Sequence, residues 1–160
     1  VVKITFGSGS NPGPPLTPTL TNYKFVTHDC PADGAYTIAN ATPNCFSNTW
    51  YSVPEDHTPG DVNGYMMVIN ASFNPGDFYV QKVDGLCDNT TYEFAAWVAT
   101  VINSSVLPTT NFPNITLNLI NPNTQAVLCT YNTDDNPNLN SINGSHNRFL
   151  FILPQRNNEE

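Results

Sequence analysis

The chain is 160 residues long, with 39% hydrophobic and 11% aromatic residues but only 11% charged ones, against about 25% charged in a typical globular domain. Five Lys and Arg face 13 Asp and Glu, a formal charge of −8. That removes the counterion-release drive toward nucleic acid and leaves no basic patch for an anionic membrane surface. No apolar run approaches the ~20 residues of a membrane-spanning helix, so neither a nucleic-acid partner nor membrane insertion is expected.

A chain of this size and apolar content buries roughly 70% of its unfolded surface, and 1–160 reads as one domain. It opens Val1-Val2-Lys3 without an initiator Met, which reads as a mature protein or a cut fragment. Helical periodicity is absent, while short runs with strand alternation recur between turn residues. Val1–Phe6 reads as a first strand, and the Gly/Pro/Ser stretch 7–18 as loop or extended chain. Asn22–Thr27 and Ala35–Asn40 are strands on either side of the Asp33-Gly34 turn signal. Gly64–Ser72 follows, with Tyr65, Met67 and Ile69 on one face and Met66, Val68 and Asn70 on the other. After the Asn74-Pro75-Gly76 turn, Asp77–Val83 reads as a strand. Thr90–Ile102 is the longest apolar strand, with Phe94, Ala96 and Val98 opposite Glu93, Ala95 and Trp97. Asn114–Ile120 alternates with Ile115, Leu117 and Leu119 inward, and turns at Asn121-Pro122-Asn123 into Thr124–Tyr131 as a hairpin. A polar loop at 134–144 precedes a last apolar run, Arg148–Leu153. Many short strands separated by turns point to an all-β, antiparallel β-sandwich of jelly-roll type.

Four cysteines, Cys30, Cys45, Cys87 and Cys129, suggest two disulfides and an oxidising compartment. Sequence leaves every connectivity open. Cys30–Cys45 is favoured because the two bracket one compact Gly- and Pro-containing segment, and Cys87–Cys129 follows by remainder. No C-x-x-C pair offers a zinc site. Sequons at Asn40, Asn70, Asn89, Asn103, Asn114 and Asn143 are read as a product of the Asn-rich composition.

The densest polar cluster is Glu55-Asp56-His57-Thr58-Pro59-Gly60-Asp61-Val62-Asn63-Gly64, a loop between strands. Carboxylates beside His57 raise acid–base catalysis, against which stands an ordered turn of Asp, Thr and Asn side chains bonding local backbone. Calcium is the intermediate reading, with Glu55, Asp56, Asp61 and Asn63 as oxygen ligands, although the spacing is not that of an EF-hand. No nucleophile elbow, phosphate loop or H-E-x-x-H occurs, and the chain is not expected to be an enzyme. Sugar binders stack the apolar C–H face of a pyranose on flat aromatic rings and use amides for its hydroxyls. The candidates for that chemistry are Trp50, Tyr51, Tyr79 and Trp97, with Asp56, His57 and Asn63 beside them.

The runs Thr49–Ser72 (TWYSVPEDHTPGDVNGYMMVINAS) and Phe78–Val98 (FYVQKVDGLCDNTTYEFAAWV), with Ile4–Pro15 and Asp29–Ile38, resemble a jelly-roll domain of large secreted proteins of Bacteroidota, gliding-motility or adhesin-like. The Asp56-His57-Thr58 and Gly64-Tyr65-Met66-Met67 segment is similar to MAM adhesion modules. Gln81–Val98 is similar to galactose-binding-like carbohydrate-binding modules. The likeness covers roughly Ile4 to Asp135. From Asn138 to Glu160 the chain departs from the family's closing strand pair and acidic run, which implies an incomplete sheet with an open edge. The resemblance implies a secreted or cell-surface, non-catalytic carbohydrate-binding module within a larger adhesin-like protein, with a glycan ligand, neighbouring domains and a structural calcium. The alternatives are a protein–protein adhesion or spacer module without sugar affinity, and a jelly-roll glycoside hydrolase or lyase.

Overall fold

The structure is a computed structural model, and it describes residues 5–87, 89–107, 113–133 and 145–152. Among these there is no helix; the elements are seven strands. They are β1 (Lys24–Phe25), β2 (Ala35–Ala39), β3 (Met66–Asn70), β4 (Thr91–Val98), β5 (Thr116–Ile120), β6 (Val127–Asn132) and β7 (Ser145–Ile152). The sequence reads as one domain; by its contacts the chain divides into two compact units, Val1–Gln81 with Val101–Pro108, and Lys82–Thr100 with Thr109–Glu160.

The first unit holds a three-stranded sheet in the order β1-β2-β3. β2 is its centre, and all five of its residues are buried. A strand covered on both faces needs apolar or small side chains throughout, and Ala35, Tyr36, Thr37, Ile38 and Ala39 supply them. Thr37 is the exception to apolarity: its Oγ1 has no hydrogen-bond partner among the described residues. β3 runs antiparallel to β2 in the register Ala35↔Asn70 to Ala39↔Met66, and Val68 is its buried residue. β1 is parallel to β2, so the expectation of purely antiparallel pairing fails here. Residues 26–34 carry the chain back along the sheet, and Gly34, at φ 75°, donates its N–H to Asn70 O rather than closing a hairpin.

The Gly/Pro stretch is extended chain pinned to this sheet. Gly13 N–H donates to Ile38 O at 2.7 Å, Tyr65 N–H to Gly7 O at 2.8 Å, and Gly9 N–H to Asn63 O at 3.0 Å. Gly13 is required by sterics: a Cβ there would lie 2.6 Å from Ile38 Cγ2. Most of the expected first strand, residues 1–4, lies outside the described residues, and residues 5 and 6 are irregular. The expected strand at 77–83 is also irregular. Its chain makes separate bonds, Asn22 N–H to Asp77 O and Val80 N–H to Leu20 O, without the continuous ladder that defines a strand.

The second unit contains two two-stranded ladders, β4-β7 and β5-β6. β7 pairs antiparallel with β4 over all eight residues, Thr91↔Ile152 to Val98↔Ser145. The expected last strand, Arg148–Leu153, is thus largely within β7, and among the described residues the ladder it forms with β4 has these two strands alone. β5 and β6 form the expected hairpin, with a register shift between Leu119 and Ile120. Its turn is an Asx turn: Asn121 Oδ1 accepts the N–H groups of Asn123 and Thr124, as short polar side chains do where a chain reverses. Leu117 and Leu119 are half-buried and alternate with exposed Thr116, Asn118 and Ile120.

Candidate functional site

Seven of the nine candidate residues, Trp50, Tyr51, Glu55, Asp56, His57, Asp61 and Asn63, lie on one excursion of the first unit, between β2 and β3; Tyr79 and Trp97 lie elsewhere. Thr42 and Val53 close it at the base through reciprocal backbone bonds of 2.8 and 3.0 Å, and Ser52 N–H donates to Asn44 Oδ1 at 2.8 Å. At its tip Trp50 N–H donates to Cys45 O and Thr49 N–H to Phe46 O. The Cys30–Cys45 disulfide forms as expected and ties the near side of the tip to the segment before β2. The far side is tied by residues 101–103: Tyr51 N–H donates to Val101 O, Asn103 N–H to Thr49 O, and Asn103 Nδ2 to Asn48 O at 3.2 Å.

Between these anchors Phe46, Ser47 and Asn48 have φ of 51°, 56° and 67°. The left-handed region costs an L-residue roughly 1–2 kcal/mol, and chains normally enter it one residue at a time, through Gly or Asn. A run of three containing Phe and Ser is held by its anchors and not by local preference. The run presents the Phe46 ring 45% exposed, edge-on to the half-buried Trp50, with centroids 5.0 Å apart and planes at 71°. Tyr51 is half-buried beside it in sequence.

At the base of the excursion lies an open cleft of about 520 Å³, walled by residues 54–63 with Asn40 and Ala41. Asp56, Asp61, His57, Glu55 and Asn63 all line it. Asp56 Oδ2 accepts the Thr58 N–H at 3.2 Å, which fixes that carboxylate. A Cβ built on Gly64 would fall 2.8 Å from Asp56 Oδ1 and 2.7 Å from Asp61 Oδ2, so these two carboxylates face one point that only glycine leaves open. Asn63, at φ 57°, returns the chain to β3. Among the described residues no three of His, Cys, Asp and Glu are grouped to hold a metal ion. Glu55 thus does not join Asp56 and Asp61 in such a group.

The aromatic candidates of the first unit do not line that cleft. Trp50, Tyr51 and Tyr79 are absent from its walls. Tyr79 is half-buried, edge-on to Phe6 at 5.9 Å, and donates its hydroxyl to Gln81 Oε1 at 2.6 Å. Burial pushes its phenol above the ordinary value of 10.0. Trp97 stands on β4 in the other unit, 49% exposed. The second expected disulfide does not form: Cys87 and Cys129 are free thiols. Cys87 lies before β4, where its N–H donates to the Tyr92 hydroxyl, and Cys129 sits within β6 opposite Leu119. A disulfide needs Cα atoms within about 7 Å, and being left over after the first pairing supplies no such proximity.

Phe46 was missed as a candidate, although an aromatic next to a loop cysteine and four residues before Trp50 is a visible signal. Tyr23, Phe25 and Tyr36 were missed as well. With Pro15, Leu16 and Pro18 they line a second, apolar cleft of about 280 Å³, in which Leu16 N–H donates to the Tyr36 hydroxyl. Compared with models of protein families, with curated proteins and with solved structures, the chain matches none.

Proposed function

We propose that the chain is a non-catalytic carbohydrate-binding module of jelly-roll type in a secreted or cell-surface protein. The observation that carries this reading is the exposed Phe46 ring set edge-on against Trp50 on a turn that its anchors, and not its own residues, hold in place. Exposed aromatic faces suit the C–H face of a sugar, and the amides around them can both donate and accept at hydroxyls. The cleft at the base of the same excursion adds Asp56, Asp61 and Asn63 as groups that orient hydroxyls or, with calcium, a bridging cation. The Cys30–Cys45 disulfide fits an oxidising compartment. Among the described residues no helix is long and apolar enough to cross a membrane.

A thermal melt of the chain across a panel of soluble polysaccharides, with calcium and with chelator, tests the reading. A ligand that binds only the folded state raises the melting temperature by mass action. At least one glycan is expected to do so, and Trp50→Ala is expected to remove the shift. A clean transition that no glycan moves refutes sugar binding. A second reading, a protein–protein adhesion module, is favoured by Val127, Leu128 and Tyr131, which stand exposed on β6 of a two-stranded ladder. A pair of strands alone is marginal in water. That reading gains if glycans fail while the chain still melts cooperatively.

A further inference from the structure

Every other left-handed non-glycine residue among the described ones, Asn63, Asn89 and Gln125, stands singly; Phe46, Ser47 and Asn48 are consecutive. Such backbone strain persists where the surroundings over-determine it, and an observed outlier is grounds for a functional hypothesis. Burial is not what the strain achieves here, because all three residues are exposed. Its effect is placement: it holds the exposed Phe46 ring in a T-shaped contact with Trp50.

The chemistry around the ring narrows the occupant. Residues 43–53 contain no charged side chain, so this stretch itself offers no charge to an acidic or basic peptide. Ser47 and Asn48 follow Phe46 on the same exposed turn, and among the described residues no hydrogen bond engages the Ser47 hydroxyl or the Asn48 side-chain amide. The backbone oxygen of Asn48 is taken by Asn103 Nδ2, which fixes the turn and leaves the side-chain amide uncommitted. An apolar face beside an unspent hydroxyl and amide, without charge, matches a neutral hexopyranose: ring C–H groups on the arene, ring hydroxyls on the polar atoms.

We infer that Phe46 is the residue on which a neutral sugar ring stacks, with Ser47 and Asn48 contacting its hydroxyls and Trp50 backing the arene. This rests on the carbohydrate-binding reading and places the stacked ring at the tip of the excursion.

The test uses the full chain on immobilised glucose-, galactose- and mannose-terminated glycans, with wild type, Phe46→Gly, Phe46→Asn and Phe46→Tyr. Gly and Asn both tolerate a positive φ, so both variants are expected to fold, with melting temperatures within a few degrees of wild type. Each is expected to lose at least tenfold in affinity for the glycan that wild type binds, whereas Phe46→Tyr, which keeps the arene, is expected to stay within threefold. In a Trp97→Phe background Trp50 becomes the sole tryptophan, and the bound glycan is expected to shift its emission. A wild type that binds none of the neutral glycans overturns this assignment, and one that the polysaccharide panel also leaves unshifted overturns the carbohydrate reading with it. A wild type that binds, with Phe46→Gly or Phe46→Asn folded and binding within twofold, overturns the Phe46 assignment alone.

Discussion

Adding one methyl group at Gly13 tests how closely the Gly/Pro segment is seated on the sheet. The new Cβ would lie 2.6 Å from Ile38 Cγ2 and 3.0 and 3.1 Å from two ring carbons of Tyr65, whereas carbon atoms settle about 3.5–4.0 Å apart. Neither neighbour yields easily. Ile38 is 1% exposed at the centre of the core, and the Tyr65 ring is held by its hydroxyl donating to Ser10 O at 2.7 Å. Relief requires the segment to lift from β2, which stretches the bond from Gly13 N–H to Ile38 O. Overpacking costs about 1–3 kcal/mol and the weakened bond about 0.5–1.5 kcal/mol, so Gly13→Ala is expected to destabilise by about 2–4 kcal/mol. For a unit of this size that lowers the melting temperature by about 10 °C or more, and urea melts should show a lower midpoint at unchanged slope. Gly60→Ala is the control. Its Cβ meets nothing within 4 Å, and its φ of +77° leaves only backbone strain, about 1 kcal/mol. A loss at Gly13 no larger than that at Gly60 would refute the seating described.

Thr37→Val keeps the shape of a buried side chain and removes a hydroxyl that has no partner among the described residues; it is expected to raise stability by about 1 kcal/mol, and a loss in urea melts would mean that the hydroxyl is bonded. Tyr79 has its phenol pushed up by burial, so the folded chain keeps a proton that the unfolded chain has released. Its contribution is whole below pH 10 and is lost as pH rises through the raised value. Tyr79→Phe should therefore flatten the alkaline decline of the melting temperature, and equal slopes for both proteins would dismiss the shift. Two thiols are free, Cys87 exposed and Cys129 half-buried. Alkylation of the native chain should label Cys87 first and Cys129 slowly, and a Cys87–Cys129 peptide in the non-reducing map would overturn the assignment.

Most strand positions were legible where alternation met turn residues. β3 and β5 fall inside the expected segments Gly64–Ser72 and Asn114–Ile120, and β6 overruns the expected Thr124–Tyr131 by one residue, because side-chain period and turn chemistry are local properties of the chain. Partnership was not legible, because it depends on residues far apart in sequence. β1 lies parallel to β2 although the Asp33-Gly34 signal suggests reversal, and Asp77–Val83 alternates like a strand but finds only isolated bonds at Leu20 and Asn22.

The candidate site divides along the same line. The acidic loop could be read from its composition, since Asp, Asn and Gly in one short run make a turn with carboxylates around it. The geometry at Phe46 could not. Nothing in Phe-Ser-Asn announces three left-handed residues, because the sequence marks that conformation with Gly or Asn and here neither stands at the first two positions. The conformation comes from outside the turn, from the Cys30–Cys45 bridge on one side and Asn103 on the other. Anchors imposed at a distance allow a loop to carry an aromatic side chain at an angle that its own residues would not choose. On the proposed reading, an exposed ring held that way is placed before a sugar arrives, which would reduce the ordering cost of binding.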